Sequence, residues 1–182
     1  LWPRETGGLL RLALLAFAGS ILMALSAKVQ VPMWPVPMTM QTFAVLVIAM
    51  AYGARLAGAT ILLYLAEGAI GLPVFASGGG VLYMAGPTGG YLAGFLVAAV
   101  LVGWLAERGW DRNVVLTFLA NMAGTAIIFA LGVAWLSGIV GGLEKAIVAG
   151  FQPFIAGAFV KIALAAAVLP FVWKLLPKRS AD

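Results

Sequence analysis

The chain has 182 residues and no cysteine or histidine among them. Disulfides, thiol nucleophiles and Cys/His metal centres are therefore excluded. So is a Ser–His protease working inside a membrane. Aspartate is nearly absent: Asp111 falls in a polar connection and Asp182 at the tail. No pair of aspartates lies within an apolar segment to form an intramembrane dyad. The GxxxxGK[ST] phosphate cradle is missing too, so the chain is not expected to hydrolyse ATP itself. Only 9% of residues are charged, with a net charge of +5. The basic residues are scattered at the ends of apolar segments and build no stripe, which argues against nucleic acid as a partner. They read instead as topology signals.

Apolar surface is abundant. The chain is 64% hydrophobic, with a mean hydropathy of +1.10. That balance belongs to an integral membrane protein in a lipid bilayer. The length allows about six spans of roughly 20 residues. The expected architecture is one all-α domain over residues 1–182 with six transmembrane helices. The apolar segments run over 9–27, 39–52, 56–70, 89–106, 114–136 and 146–176, the last interrupted at Pro153. Residues 1–27 resemble a secretory signal, but the first helix of a multi-span protein has the same appearance.

Charge sets the orientation. In a six-span arrangement Arg4, Arg11, Arg55, Arg108, Arg112, Lys174, Lys178 and Arg179 share one side. Lys28 and Lys145 fall on the other. Both termini are thus expected in the cytoplasm. The long connections 29–38, 71–88 and 137–145 then face outward together. The second and third segments are short. About 14 residues at 1.5 Å each cover roughly 21 Å, against a hydrocarbon core of about 30 Å. A cavity in the outer half, covered by the 29–38 and 71–88 connections, would fill the difference.

The stretch from Gly71 to Gly94, GLPVFASGGGVLYMAGPTGGYLAG, is too rich in glycine and proline for a helix and too apolar for a solvent loop. At membrane depth such backbone survives only under cover of protein or beside a cavity. Gly78, Gly79 and Gly80 allow close backbone approach. Tyr83 and Tyr91 add aromatic faces with polar tips. Lys161 lies inside an apolar span, where an ammonium costs several kcal/mol unless paired or wetted. It either meets a ligand carboxylate, snorkels to the interface, or pairs with Glu67, the other charge within an apolar span. In PMWPVPMTMQ, Thr39 is placed to cap a helix and Gln41 to present an amide in its first turn. Asn121 and Thr125, one turn apart, are interhelical glue or ligand contacts. Ala16, Ser20 and Ala24 form a small-residue stripe that lets another backbone approach, from this chain or from another subunit, a second copy included. The six tryptophans sit mostly near span ends, as interfacial anchors do.

At PVPMTMQTFAVL, EGAIGLPVFASGGG, GPTGGYLAGF and FVKIALAA the chain resembles the BioY family. These are the biotin-specific substrate-binding (S) components of energy-coupling factor transporters. The resemblance covers nearly the whole sequence. It implies six membrane helices in a prokaryotic cell membrane, with an outward biotin pocket closed by the Gly-rich loop between helices 3 and 4. It implies no cofactor and no catalytic residue. A separate coupling subunit and an ATPase pair would energise import. It maps the family's membrane lysine onto Lys161 and its helix-start glutamine onto Gln41, under the loop that carries Gly78, Gly79 and Gly80; Tyr83 and Tyr91 are ligand contacts on the reading of the residues alone. It maps coupling-subunit docking onto Ser20 and Ala24, beside Ala16. Many members carry an aspartate where this chain has Ala158, so the ureido N–H groups need another acceptor. Asn121, Gln41 and Glu67 are the candidates. The alternative reading is an S component for another small carboxylate-bearing vitamin.

Overall fold

A computed structural model describes residues 8–175, with side chains through residue 168. Trp2, Arg4, Lys178, Arg179 and Asp182 lie outside the described residues, as do the side chains of Trp173 and Lys174. In chain order the elements are α1 (Leu9–Lys28), β1 (Gln30–Val31), β2 (Met38–Thr39), α2 (Gln41–Ala69), α3 (Val81–Met84), α4 (Gly89–Ala106), α5 (Val114–Val140), α6 (Leu143–Gly150) and α7 (Ile155–Leu175). Short 3₁₀ turns cover Trp110–Arg112 and Gln152–Phe154.

Five stretches are long and apolar enough to cross a membrane: α1, α2, α4, α5 and the α6–α7 run Leu143–Val168. Large apolar side chains such as Phe17, Leu62, Val97 and Phe159 stand exposed on them, a surface that suits lipid. The protein is a multi-pass membrane protein.

Six separate spans are expected; α2 runs through both the second and the third of the expected segments, with a break between them. At Gly53 the backbone turns to φ 77° and ψ 173°, which glycine adopts at little cost. The break frees the Ala54 N–H, which donates to Glu107 Oε1 at 3.0 Å. The two arms then run side by side. Gln41 Nε2 donates to Tyr64 Oη at 2.6 Å, although 23 residues of straight helix would hold them about 35 Å apart. The fold-back point matches the connection expected over 53–55.

The α2 arms, α4 and α5 form a wall whose backbones meet at small residues. A Cβ at Gly94 would fall 2.8 Å from Ile128 Cα, and one at Gly103 2.6 Å from the Ala54 nitrogen. Helix α1 buries one stripe, Ala16, Gly19, Ser20, Met23 and Ala27, against α2. Gly19 lies on Thr60, and Tyr52 Oη donates to Leu15 O at 3.1 Å. Ala16 and Ser20 face α2 of the same chain, Ala24 is half-buried against the same core, and the Ser20 hydroxyl donates to the Glu67 carboxylate. Ala16 and Ser20 thus pack within the chain.

Two other boundaries differ from expectation. Helix α5 starts where Asn113 Oδ1 accepts from the Val115 and Leu116 N–H groups, at 2.8 and 3.3 Å. It continues through Ser137 to Val140, so only Gly141 and Gly142 separate it from α6. The Gly-rich stretch is not wholly irregular either: Val81–Met84 forms one helical turn inside it. The interruption expected at Pro153 is the 3₁₀ turn between α6 and α7.

Candidate functional site

Opposite the Gly53 end, the wall opens into a cavity whose unfilled space, open solvent included, is about 700 Å³. One side is the β1–β2 hairpin, in which Gln30 pairs with Thr39 and Val31 with Met38. The hairpin delivers Val36, Pro37 and Thr39 to the lining, and the start of α2 adds Gln41, Thr42 and Leu46. Met40, not Thr39, occupies the cap position of α2. Thr39 still serves the helix end, because its Oγ1 accepts from the Gln41 N–H at 3.3 Å and donates to Gln41 Oε1 at 3.1 Å.

The Gly-rich loop covers a second side. Phe75 is fully buried, edge-on to Tyr64 at 5.4 Å and stacked on Tyr83 at 5.1 Å. Phe75, Ala76 and Tyr83 line the cavity; Gly78, Gly79 and Gly80 do not. The glycines shape the loop instead. Gly78 O accepts from the Phe75 N–H at 2.9 Å, and the Gly80 N–H donates to Gly68 O at 2.6 Å. A Cβ on Gly79 would lie 2.1 Å from Leu72 O. The loop is tied to the end of α1, where Lys28 Nζ donates to Phe75 O at 2.7 Å and Gln30 Nε2 to Ala76 O at 3.1 Å.

Aromatic rings complete the wall. Tyr91 is buried, and its hydroxyl donates to Gly150 O at 2.7 Å, where α6 ends. Phe129 sits edge-on between Tyr91 and Phe154. Phe129 and Phe154 are not singled out from the sequence, since a phenylalanine in or beside a membrane helix gives no sign of whether it faces ligand or lipid.

Lys161 is half-buried and reaches the cavity from α7. Its Nζ donates to Thr39 O at 2.5 Å. An ammonium has three N–H donors, so two remain for a ligand or water. Among the described lining residues Lys161 is the one that carries a formal charge at neutral pH. Glu67 is not on the cavity wall and bonds Ser20 instead. The expected Lys161–Glu67 pair and Glu67 ligand contact are thus replaced by other bonds. Asn121 is fully buried below the lining, while its neighbour Thr125 belongs to the lining. Among the described residues no group of three or more Asp or Glu side chains is placed to hold a metal ion. Chemically the site can enclose a small, largely apolar molecule and neutralise one negative charge.

Comparison with known proteins agrees with this picture. The sequence profile of the BioY family matches residues 5–178. "Biotin transporter BioY" of Thermotoga maritima is 38% identical over 159 residues, covering 87% of this chain and 93% of that protein. "Biotin transporter BioY" of Rhizobium etli is 33% identical over 183 residues, covering 93% and 97%. The crystal structure of the S-component for biotin from an ECF-type ABC transporter superimposes with a TM-score of 0.82 over 94% of this chain and 95% of that one. At 20% identity that likeness speaks to the fold, which is the S-component fold. The chain belongs to the BioY family.

Proposed function

We propose that this chain is the biotin-capturing membrane subunit of an importer, and that it binds rather than transforms its ligand. The single observation that carries the reading is Lys161, one cation in an otherwise uncharged, aromatic-lined cavity. A carboxylate is the natural partner for such a group, because an unpaired ammonium at membrane depth is costly. Biotin supplies a carboxylate, an apolar chain and a fused ring. Family membership and the relatives named as biotin transporters support the same ligand. Lys161, Gln41, Tyr83 and Tyr91 would contact it directly, and Gly78, Gly79 and Gly80 would hold Phe75 over it.

Energy for import would come from a coupling subunit and an ATPase pair, in keeping with the ECF-type neighbour. The chain would work as one six-crossing unit in a prokaryotic cell membrane with both termini in the cytoplasm. Arg55 beside the Gly53 turn, and Arg108 and Arg112 in the adjoining connection, support that orientation.

The test is calorimetry on the purified, detergent-solubilised protein with biotin and with biotin methyl ester. Tight biotin binding that the ester loses is the expected result. Equal binding of both would remove Lys161 from the carboxylate. No binding of either by folded protein would overturn biotin as the ligand.

A further inference from the structure

One face of α5 holds three polar atoms with no hydrogen-bond partner among the described residues: Asn121 Oδ1, Asn121 Nδ2 and Thr125 Oγ1. Asn121 is 0% exposed and Thr125 5%. They lie at i and i+4, so their side chains are neighbours one turn apart. Buried polar groups are rarely left unpaired, and each exception calls for a ligand, a water or a role.

The Thr125 hydroxyl is unusual for its position. A threonine inside a helix commonly returns its hydroxyl to the carbonyl four residues back. Thr60 does this to Leu56 O and Thr117 to Asn113 O, both at 2.8 Å. Thr125 makes no such bond. Its side chain lines the cavity. The other buried polar side chains of the lining are already engaged. Gln41 bonds Tyr64 and Thr39, and Tyr91 bonds Gly150 O. Glu67 is held by Ser20 away from the cavity.

We propose that Thr125 is the polar floor of the cavity and pairs the ureido group of the ligand, opposite in role to Lys161, while Asn121, buried one turn away and off the cavity wall, positions the Thr125 hydroxyl. This rests on biotin being the ligand. A ureido group donates through two N–H bonds and accepts through its carbonyl. A hydroxyl can accept from one of these N–H groups or donate to the carbonyl, and a carboxamide one turn away can bond the same hydroxyl. The unpartnered Thr125 hydroxyl thus complements the ureido end of biotin, whose N–H donors an ammonium cannot pair. Specificity follows, because a site built to bond a polar group rejects an analogue that leaves its own buried groups unpaired.

Thr125→Val and Asn121→Leu keep side-chain size while removing the polar atoms, and replacing an unpaired buried polar group with an apolar one spares the fold. Each would be titrated with biotin, with an N-methylated ureido analogue and with biotin methyl ester, while thermal unfolding checks folding. The expected result is roughly tenfold or greater loss of biotin affinity in Thr125→Val, and a smaller loss in the same direction in Asn121→Leu. The ureido analogue should bind wild type weakly and lose nothing further in the variants. The ester penalty should persist unchanged. Wild-type affinity in both folded variants would overturn the floor assignment and leave biotin as ligand. Equal losses for biotin and the ureido analogue would also overturn it, by showing a packing effect. Failure of wild type to bind biotin would overturn the ligand reading itself, and the floor assignment with it.

Discussion

Phe75 rests directly on the α-carbon of Gly68: a Cβ added there would fall 1.9 Å from the Phe75 ring tip. Nothing larger than hydrogen fits, so the third-span glycine seats the ring that covers the cavity. Gly68→Ala should displace Phe75 and, through stacking, Tyr83. In a helix the same change ordinarily stabilises by about 1 kcal/mol, whereas overpacking costs about 1–3 kcal/mol. Biotin should dissociate on the order of tenfold faster, a difference of about 1.4 kcal/mol. Stopped-flow release against unlabelled ligand would show it, and an unchanged off-rate would separate Phe75 from ligand retention.

Lys161 bridges the hairpin and the cavity through Thr39 O. Lys161→Met keeps most of the stem and removes the charge. Hydrogen bonds to charged groups contribute about 1.5–3 kcal/mol, so biotin affinity should fall about 10- to 150-fold. The variant should also bind biotin and its methyl ester alike in calorimetry. A retained preference for the free acid would mean another group reads the carboxylate.

Ser20 is 1% exposed and donates to Glu67. Ser20→Leu should therefore destabilise the chain itself, by about 1–3 kcal/mol through overpacking, before any partner is considered. Ser20→Ala removes only the hydroxyl and should be milder. Thermal unfolding of the isolated protein decides the matter. Full stability of Ser20→Leu would return the stripe to the outer surface.

Asp111, in the turn between α4 and α5, is buried, and Oδ1 finds no partner among the described residues. Burial raises its pKa above the usual 3.8. The folded state therefore holds this proton more tightly than the unfolded one. Its contribution is present in full below pH 3.8 and is lost as pH rises through the elevated folded value. Asp111→Asn should unfold at higher temperature than the parent at pH 7, and the gap should narrow on acidification. A gap that widens in acid would show the carboxylate to be stabilising.

Much of the fold was legible because lipid imposes one strict demand, long apolar helical runs. The α4 boundaries and the fold-back near Gly53 came directly from that pattern. The same demand explains the error at Ser137: its polar composition suggests a loop, but at that depth the helix itself satisfies the backbone, and α5 continues to Val140. The facing of Ala16 and Ser20 was not legible. Lipid and protein interior are both apolar, so α1 carries no polar side to mark which stripe turns inward. The cavity glycines misled in a similar way. Gly78, Gly79 and Gly80 announce unusual backbone without saying whether it touches ligand or seats the residue that does. Lys161 stood out because charge is scarce, and scarcity makes a residue readable.

The fold-back at Gly53 has a further consequence for passage. Since both α2 arms run between the cavity end and the Gly53 turn, where Gly103 packs against Ala54, the described residues take the shape of a cup. A solute held in a cup cannot be pushed out through its base. Delivery to the far side would require the vessel to be tipped as a whole, or its rim at Phe75 and Lys161 to be prised open from that side. The work of import would then go into turning the container.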